Sequence, residues 1–195
     1  MSEINFDYLI EKIEKAIKKM SKKSKIAAEF TPKDVPFAGF WKTLASVFGA
    51  GYSPVASGTV GSFLTYIILA IIFAADPDFT VSLWYILVVI ALMPIGAIIC
   101  QKGEDIWGHD SGKIVFDELV GMFITFVFVP VNLFTLFGGF LLFRIFDIIK
   151  VPPGRTIDEK MPGGWGVLLD DVMAGIYANL VLQIIVKFAM IWRGV

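Results

Sequence analysis

Beyond about residue 60 the chain is written in long apolar runs broken by short polar ones, and before residue 30 it is not. Five runs stand out: Val60–Ala75, Val81–Cys100, Ile114–Val129, Leu133–Ile149 and Val172–Trp192. The second and fifth approach the ~20 residues needed to cross a ~30 Å hydrocarbon layer. The others are short and carry glycines or charges, which predicts helices packed within a bundle with their ends at the interface. In the opening segment Ile4, Leu9, Ile13, Ile17 and Met20 recur at helical spacing, with Glu11, Lys12, Glu14, Lys15, Lys18 and Lys19 between them. That pattern predicts an amphipathic helix with a basic second half. It suits either a solvated helix packed on the domain or one lying on an anionic membrane surface. The prolines Pro32 and Pro36 then mark a linker. The expected organisation is residues 1–35 as helix and linker and 36–195 as a membrane-embedded domain. The expected fold is all-α: an integral-membrane bundle of about five hydrophobic helices.

Composition supports the membrane reading. The chain is 56% hydrophobic and its mean hydropathy is +0.74, above the roughly 45–50% apolar content of soluble domains. A net charge of −1 argues against a nucleic-acid partner, which asks for a basic surface. One cysteine, Cys100, and one histidine, His109, make neither an internal disulfide nor a zinc site. The role of His109 is left open.

The charges also set an orientation. With the Lys-rich start in the cytoplasm and all five runs crossing, the segments Gln101–Lys113 and Lys150–Asp170 fall on the cytoplasmic side. The opposite segments, Asp76–Thr80 and Pro130–Asn132, contain no Lys or Arg. That asymmetry is what the positive-inside tendency predicts.

A carboxylate near the hydrocarbon costs about 2.5–3.5 kcal/mol or more at the bilayer centre, so it is retained for a purpose. Here such groups recur. Asp110 lies seven residues before Asp117, Asp117 and Glu118 open the third run, and Asp170 and Asp171 precede the fifth; Arg144, Asp147 and Lys150 step by three along the end of the fourth. The topology delivers all of them to one boundary. Adjacent carboxylates repel unless a cation sits between them. Oxygen ligands without Cys or a His cluster point to Mg²⁺, with Mn²⁺ or Ca²⁺ as alternatives. Arg144 and Lys150 could neutralise one or two of the acids as plain ion pairs, but not all six. Their second use is phosphate, which Arg meets as a fork and Lys as a point charge.

Two glycine-rich segments flank this set. Gly49–Ser62 brings Ser57, Thr59 and Ser62 to the start of an apolar helix, where backbone N–H groups and hydroxyls suit an anion. The competing reading is a turn whose small residues allow close packing. The second segment, Pro162-Gly-Gly-Trp-Gly166, would let backbone approach Asp170 and Asp171. Neither segment is followed by a Walker lysine.

These blocks resemble the phosphatidylglycerophosphatase A family, bacterial integral-membrane lipid phosphatases. The likeness runs from about Phe48 to Ala178. Its parts are Gly51–Ser62, His109–Glu118 with Val120-Gly121, Phe143–Lys150, and Gly163–Asp171 with Ala174-Gly175. Four blocks in order are specific where one would be weak. There are departures: Ser57 and Val151 stand where the family usually has proline, and Glu159 where an arginine often follows the aspartate matched by Asp158. The resemblance implies Mg²⁺-dependent hydrolysis of phosphatidylglycerophosphate to phosphatidylglycerol and phosphate, at the cytoplasmic face of the bacterial inner membrane. It casts Asp117, Glu118, Asp170 and Asp171 as metal ligands. Ser57, Thr59, Ser62, Arg144 and Lys150 would contact the substrate. Asp110, Asp117, Asp147 and Asp171 would be the catalytic acids, with either water or an aspartate as the nucleophile. Three rivals remain. A headgroup transferase lacks its D-G-x₂-A-R run here. An ion or proton transporter would place its acids at mid-membrane. A non-catalytic membrane scaffold is separable only by activity.

Overall fold

The computed structural model describes residues 31–193 apart from Asp110, Pro153, residues 155–160 and Pro162. The expected N-terminal amphipathic helix lies outside the described residues. Within them are six α-helices: α1 (Ala38–Ala45), α2 (Ser57–Ala75), α3 (Leu83–Trp107), α4 (Phe116–Thr125), α5 (Leu133–Ile149) and α6 (Gly164–Arg193).

Helices α2 to α6 correspond to the five apolar runs, but they are not five spans of one kind. Only α2, α3 and α6 are long and apolar enough to cross a membrane. At 1.5 Å per residue, α4 with 10 residues is about 15 Å long, half the hydrocarbon thickness. Seven of those residues, Phe116 and Val120 to Thr125, are buried, so α4 is a core element wrapped by the others. Its apolar run extends further because the turn that ends it is itself internal. Phe126 and Val129 are fully buried, while Phe128 takes a left-handed φ of 58° that reverses the chain.

The long helices turn large apolar side chains outward. Ile67 and Ile71 on α2, Leu87, Ile90 and Ile98 on α3, and Ile184, Phe188 and Ile191 on α6 are all exposed. An apolar outer surface of this extent is what lipid covers. Trp84 and Trp192 are exposed near one end of the bundle and Trp165 near the other, where amphipathic rings sit at membrane interfaces. The chain is a membrane protein.

Successive helices alternate in direction. At one end the links after α2 and α4 meet: the Thr80 hydroxyl donates to the Val129 carbonyl at 2.7 Å, and the Phe128 N–H to the Thr80 carbonyl at 3.1 Å. The opposite end therefore gathers the starts of α2, α4 and α6 and the finishes of α3 and α5. The N-terminal linker reaches the same end, where Lys33 pairs with Asp105 at 2.6 Å.

What draws α4 and α6 together is the absence of side chains where they cross. A Cβ on Gly121 would lie 2.7 Å from the Asp171 carbonyl oxygen, and one on Gly175 would collide with the Gly121 carbonyl. Backbone packs against backbone, as small residues permit in membrane bundles. Gly175→Val is expected to lower both activity and thermal midpoint, by about 1–3 kcal/mol of overpacking. Detergent-solubilised unfolding read beside phosphate release checks this; an unchanged midpoint would show that the crossing is not tight.

Candidate active site

The α4–α6 crossing sets the carboxylates. Asp117 and Glu118 lie one helical turn before Gly121, and Asp171 one turn before Gly175, so the close approach puts the three acids side by side. One carboxylate oxygen from each lies within 4.8 Å of the others. Asp171 is 4% exposed, and Asp117 Oδ1 and Glu118 Oε2 are buried with no hydrogen-bond donor. Three converging carboxylates with orphaned oxygens repel one another and are costly to bury. A hard cation satisfies both demands, and an all-oxygen donor set of this kind fits one.

The other candidates take distinct places. Asp170 lines the same cavity, and its Oδ2 accepts from Lys150 Nζ at 2.7 Å; it stands beside the close three-carboxylate group. Asp147 pairs with Arg144 at 2.6 Å, and the two side chains are 16% and 14% exposed. The same guanidinium donates to the hydroxyls of Ser62 and Thr59, both at 3.2 Å. Arg144, Thr59 and Ser62 thus form one network linking α5 to α2. Asp110 lies outside the described residues.

A cavity of about 130 Å³ opens against the acids, lined among others by Ser57, His109, Asp117, Glu118, Asp147, Lys150, Asp170 and Asp171. That is roughly the liquid volume of four waters at ~30 Å³ each, room for a phosphate and a cation but not for acyl chains. Ser57 and Lys150 line it. Arg144, Thr59 and Ser62 are not among its lining residues and stand behind its wall. The glycines of Gly163–Gly166 serve two contacts. A Cβ on Gly164 would strike the Ala97 carbonyl of α3, and the Gly164 N–H donates to Gln101 Oε1 at 2.9 Å. Gly164 thus seats the start of α6 on α3, while Gly166 lines the cavity with the carboxylates.

One residue that holds a cavity-lining side chain carries no signal among the blocks singled out above. Glu104, 7% exposed, pairs through Oε1 with His109 Nδ1. Its signal was a carboxylate in the last turns of an otherwise apolar helix, five residues before the lone histidine.

Comparison with known proteins is decisive at this point. A model of phosphatidylglycerophosphatase A matches residues 43–186, which hold every site residue named above. The chain belongs to the phosphatidylglycerophosphatase A family. It is similar to the phosphatidylglycerophosphatase A of Escherichia coli, 39% identical over 74% of this chain and 83% of that one. That of Haemophilus influenzae is 38% identical over 71% and 84%. A Bacteroides thetaiotaomicron protein provisionally named a phosphatidylinositol-3-phosphatase is 39% identical over 70% and 87%. No solved structure matches. As a phosphatidylglycerophosphatase the chain is a phosphoric monoester hydrolase of phospholipid metabolism, on the route to phosphatidylglycerol.

Proposed function

We propose that this phosphatidylglycerophosphatase is Mg²⁺-dependent, that Asp117, Glu118 and Asp171 hold the ion, and that the reaction takes place in the 130 Å³ cavity at the cytoplasmic end of the bundle. The observation that carries the reading is the pair of buried, unpartnered oxygens on Asp117 and Glu118, facing a third carboxylate. When bound, the ion supplies Lewis acidity to the phosphate oxygens and charge to offset the three acids.

The chain's own groups do the rest. Lys150 and Ser57, which line the cavity, contact the phosphate. Asp147, held by Arg144, takes the proton of the attacking water as general base. The acyl chains stay in the bilayer beside α2, α3 and α6 while the headgroup enters the cavity. A primary phosphate on a slender glycerol arm suits so small a space.

Lys33, Lys42, Lys102, Lys113 and Lys150 all lie toward the site end, and the opposite links carry no Lys or Arg. This distribution supports a cytoplasmic site, although Lys187 and Arg193 occupy the far part of α6.

Purified wild-type protein in detergent, given Mg²⁺, is expected to release phosphate from phosphatidylglycerophosphate about 10-fold or more faster than from phosphatidylinositol-3-phosphate. A reversed preference would transfer the substrate assignment to the inositol lipid. Silence on both would remove the phosphatase reading.

A further inference from the structure

The pairing of Glu104 with His109 has no part in the chemistry assigned so far, yet His109 lines the cavity. Its placement is built. Helix α3 ends at Gly108, whose φ of 95° and ψ of 166° are open to glycine but not to a residue with a Cβ. The Gly108 N–H still closes onto the Glu104 carbonyl at 2.9 Å, so the chain leaves the helix there and doubles back. His109 thereby returns alongside the turn it has just left, and its Nδ1 meets Glu104 Oε1. The carboxylate is 7% exposed and the imidazole 50%: one partner is anchored in the bundle, the other stands at the cavity mouth.

The chemistry of the pair follows from its polarity. An ionised carboxylate only accepts, so Nδ1 carries the hydrogen and Nε2 is the nitrogen that serves the cavity. In the imidazolium form both ring nitrogens carry hydrogen, and Nε2 is then a donor toward the cavity. The acids of the cavity already supply bases and cation ligands. What they do not supply is a proton for the departing glycerol oxygen. An alkoxide is a base comparable to hydroxide, and it leaves poorly unless protonated.

We infer that His109, positioned by Glu104, is the general acid of the reaction, donating the Nε2 proton to the glycerol oxygen of the lipid. The inference rests on the phosphatase reading. As the bond from the attacking water oxygen to phosphorus forms, the bond from phosphorus to the glycerol oxygen breaks. The electron pair left on that oxygen takes the Nε2 proton, giving the lipid alcohol. The water's proton passes to Asp147 and on to solvent, and solvent returns a proton to Nε2. The balance is one ester and one water consumed, one alcohol and one phosphate formed.

The test uses two forms of the same lipid, phosphatidylglycerophosphate and its analogue with sulfur in place of the bridging glycerol oxygen. A thiol has a pKa of about 8.5, so a thiolate departs without help. His109→Gln is expected to lose on the order of 10²-fold in kcat on the oxygen ester and to stay within a few-fold of wild type on the sulfur ester. Glu104→Gln is expected to show the same selectivity at smaller amplitude. Equal losses on both esters would overturn the assignment and leave His109 a structural residue, as would no loss on either. A wild type inert toward both esters would sink the phosphatase reading and this one with it. A wild type active on both, with a variant that does not discriminate, sinks this one alone.

Discussion

Asp171→Asn is expected to lower kcat for phosphate release on the order of 10³-fold, equivalent to about 4 kcal/mol of transition-state stabilisation. The amide matches the carboxylate in shape, so the α4–α6 packing survives. What changes is one of three negative charges whose oxygens lie within 4.8 Å of one another. The stability readout separates this from simple damage. Without divalent ions wild type must bear the repulsion of its three acids, and the variant bears less. The metal-free variant should therefore melt no lower than metal-free wild type. Adding Mg²⁺ should raise the wild-type midpoint through binding to the folded state and leave the variant nearly unmoved. Thermal unfolding in detergent, with Mg²⁺ and with chelator, reads both effects. A variant that melts lower in chelator would show that Asp171 is needed for packing and not for its charge.

Arg144→Ala is expected to cost about 2–4 kcal/mol, somewhat less than the penalty for breaking a fully buried ion pair, because the pair is half-buried. The guanidinium serves three partners at once: Asp147 at 2.6 Å and the hydroxyls of Thr59 and Ser62 at 3.2 Å. It joins α5 to α2 and steadies the carboxylate proposed as base. Arg144→Lys should recover little of the loss, because one ammonium on a flexible stem cannot span a fork of this geometry. Unfolding midpoints and kcat measured for both variants check this. A lysine variant at wild-type rate would show that charge alone suffices and that the hydroxyl contacts are incidental.

Much of this architecture is legible in the sequence because lipid and water sort residues strongly. The runs that become α2 to α6 are apolar for the same reason that Asp76–Ser82 and Gln101–Ile114 are not. The acids recur at every second boundary because the chain reverses between them. The extent of α4 is hidden, since hydropathy registers burial and not helix ends: Phe126 to Val129 are as apolar as the helix they follow. Partnership is hidden as well. Arg144 and Lys150 both read as phosphate-binding cations, yet Arg144 is occupied by Asp147 and two hydroxyls, while Lys150 reaches the cavity and pairs with Asp170. Periodicity tells which face a residue occupies, not which neighbour from a distant helix fills the space opposite. Glu104 illustrates the limit. Its partner is only five residues away, but the glycine reversal that unites them is a matter of backbone conformation.

The central claim is that three buried carboxylates hold a divalent cation for phosphate chemistry on a lipid. Its most direct test is to strip the purified protein with chelator and then titrate Mg²⁺, following phosphate release from phosphatidylglycerophosphate and Mg²⁺ binding in the same samples. No release is expected from the stripped protein, recovery is expected to track Mg²⁺ binding in wild type, and Asp117→Asn is expected to show neither binding nor recovery. Full release from the stripped protein would contradict the claim.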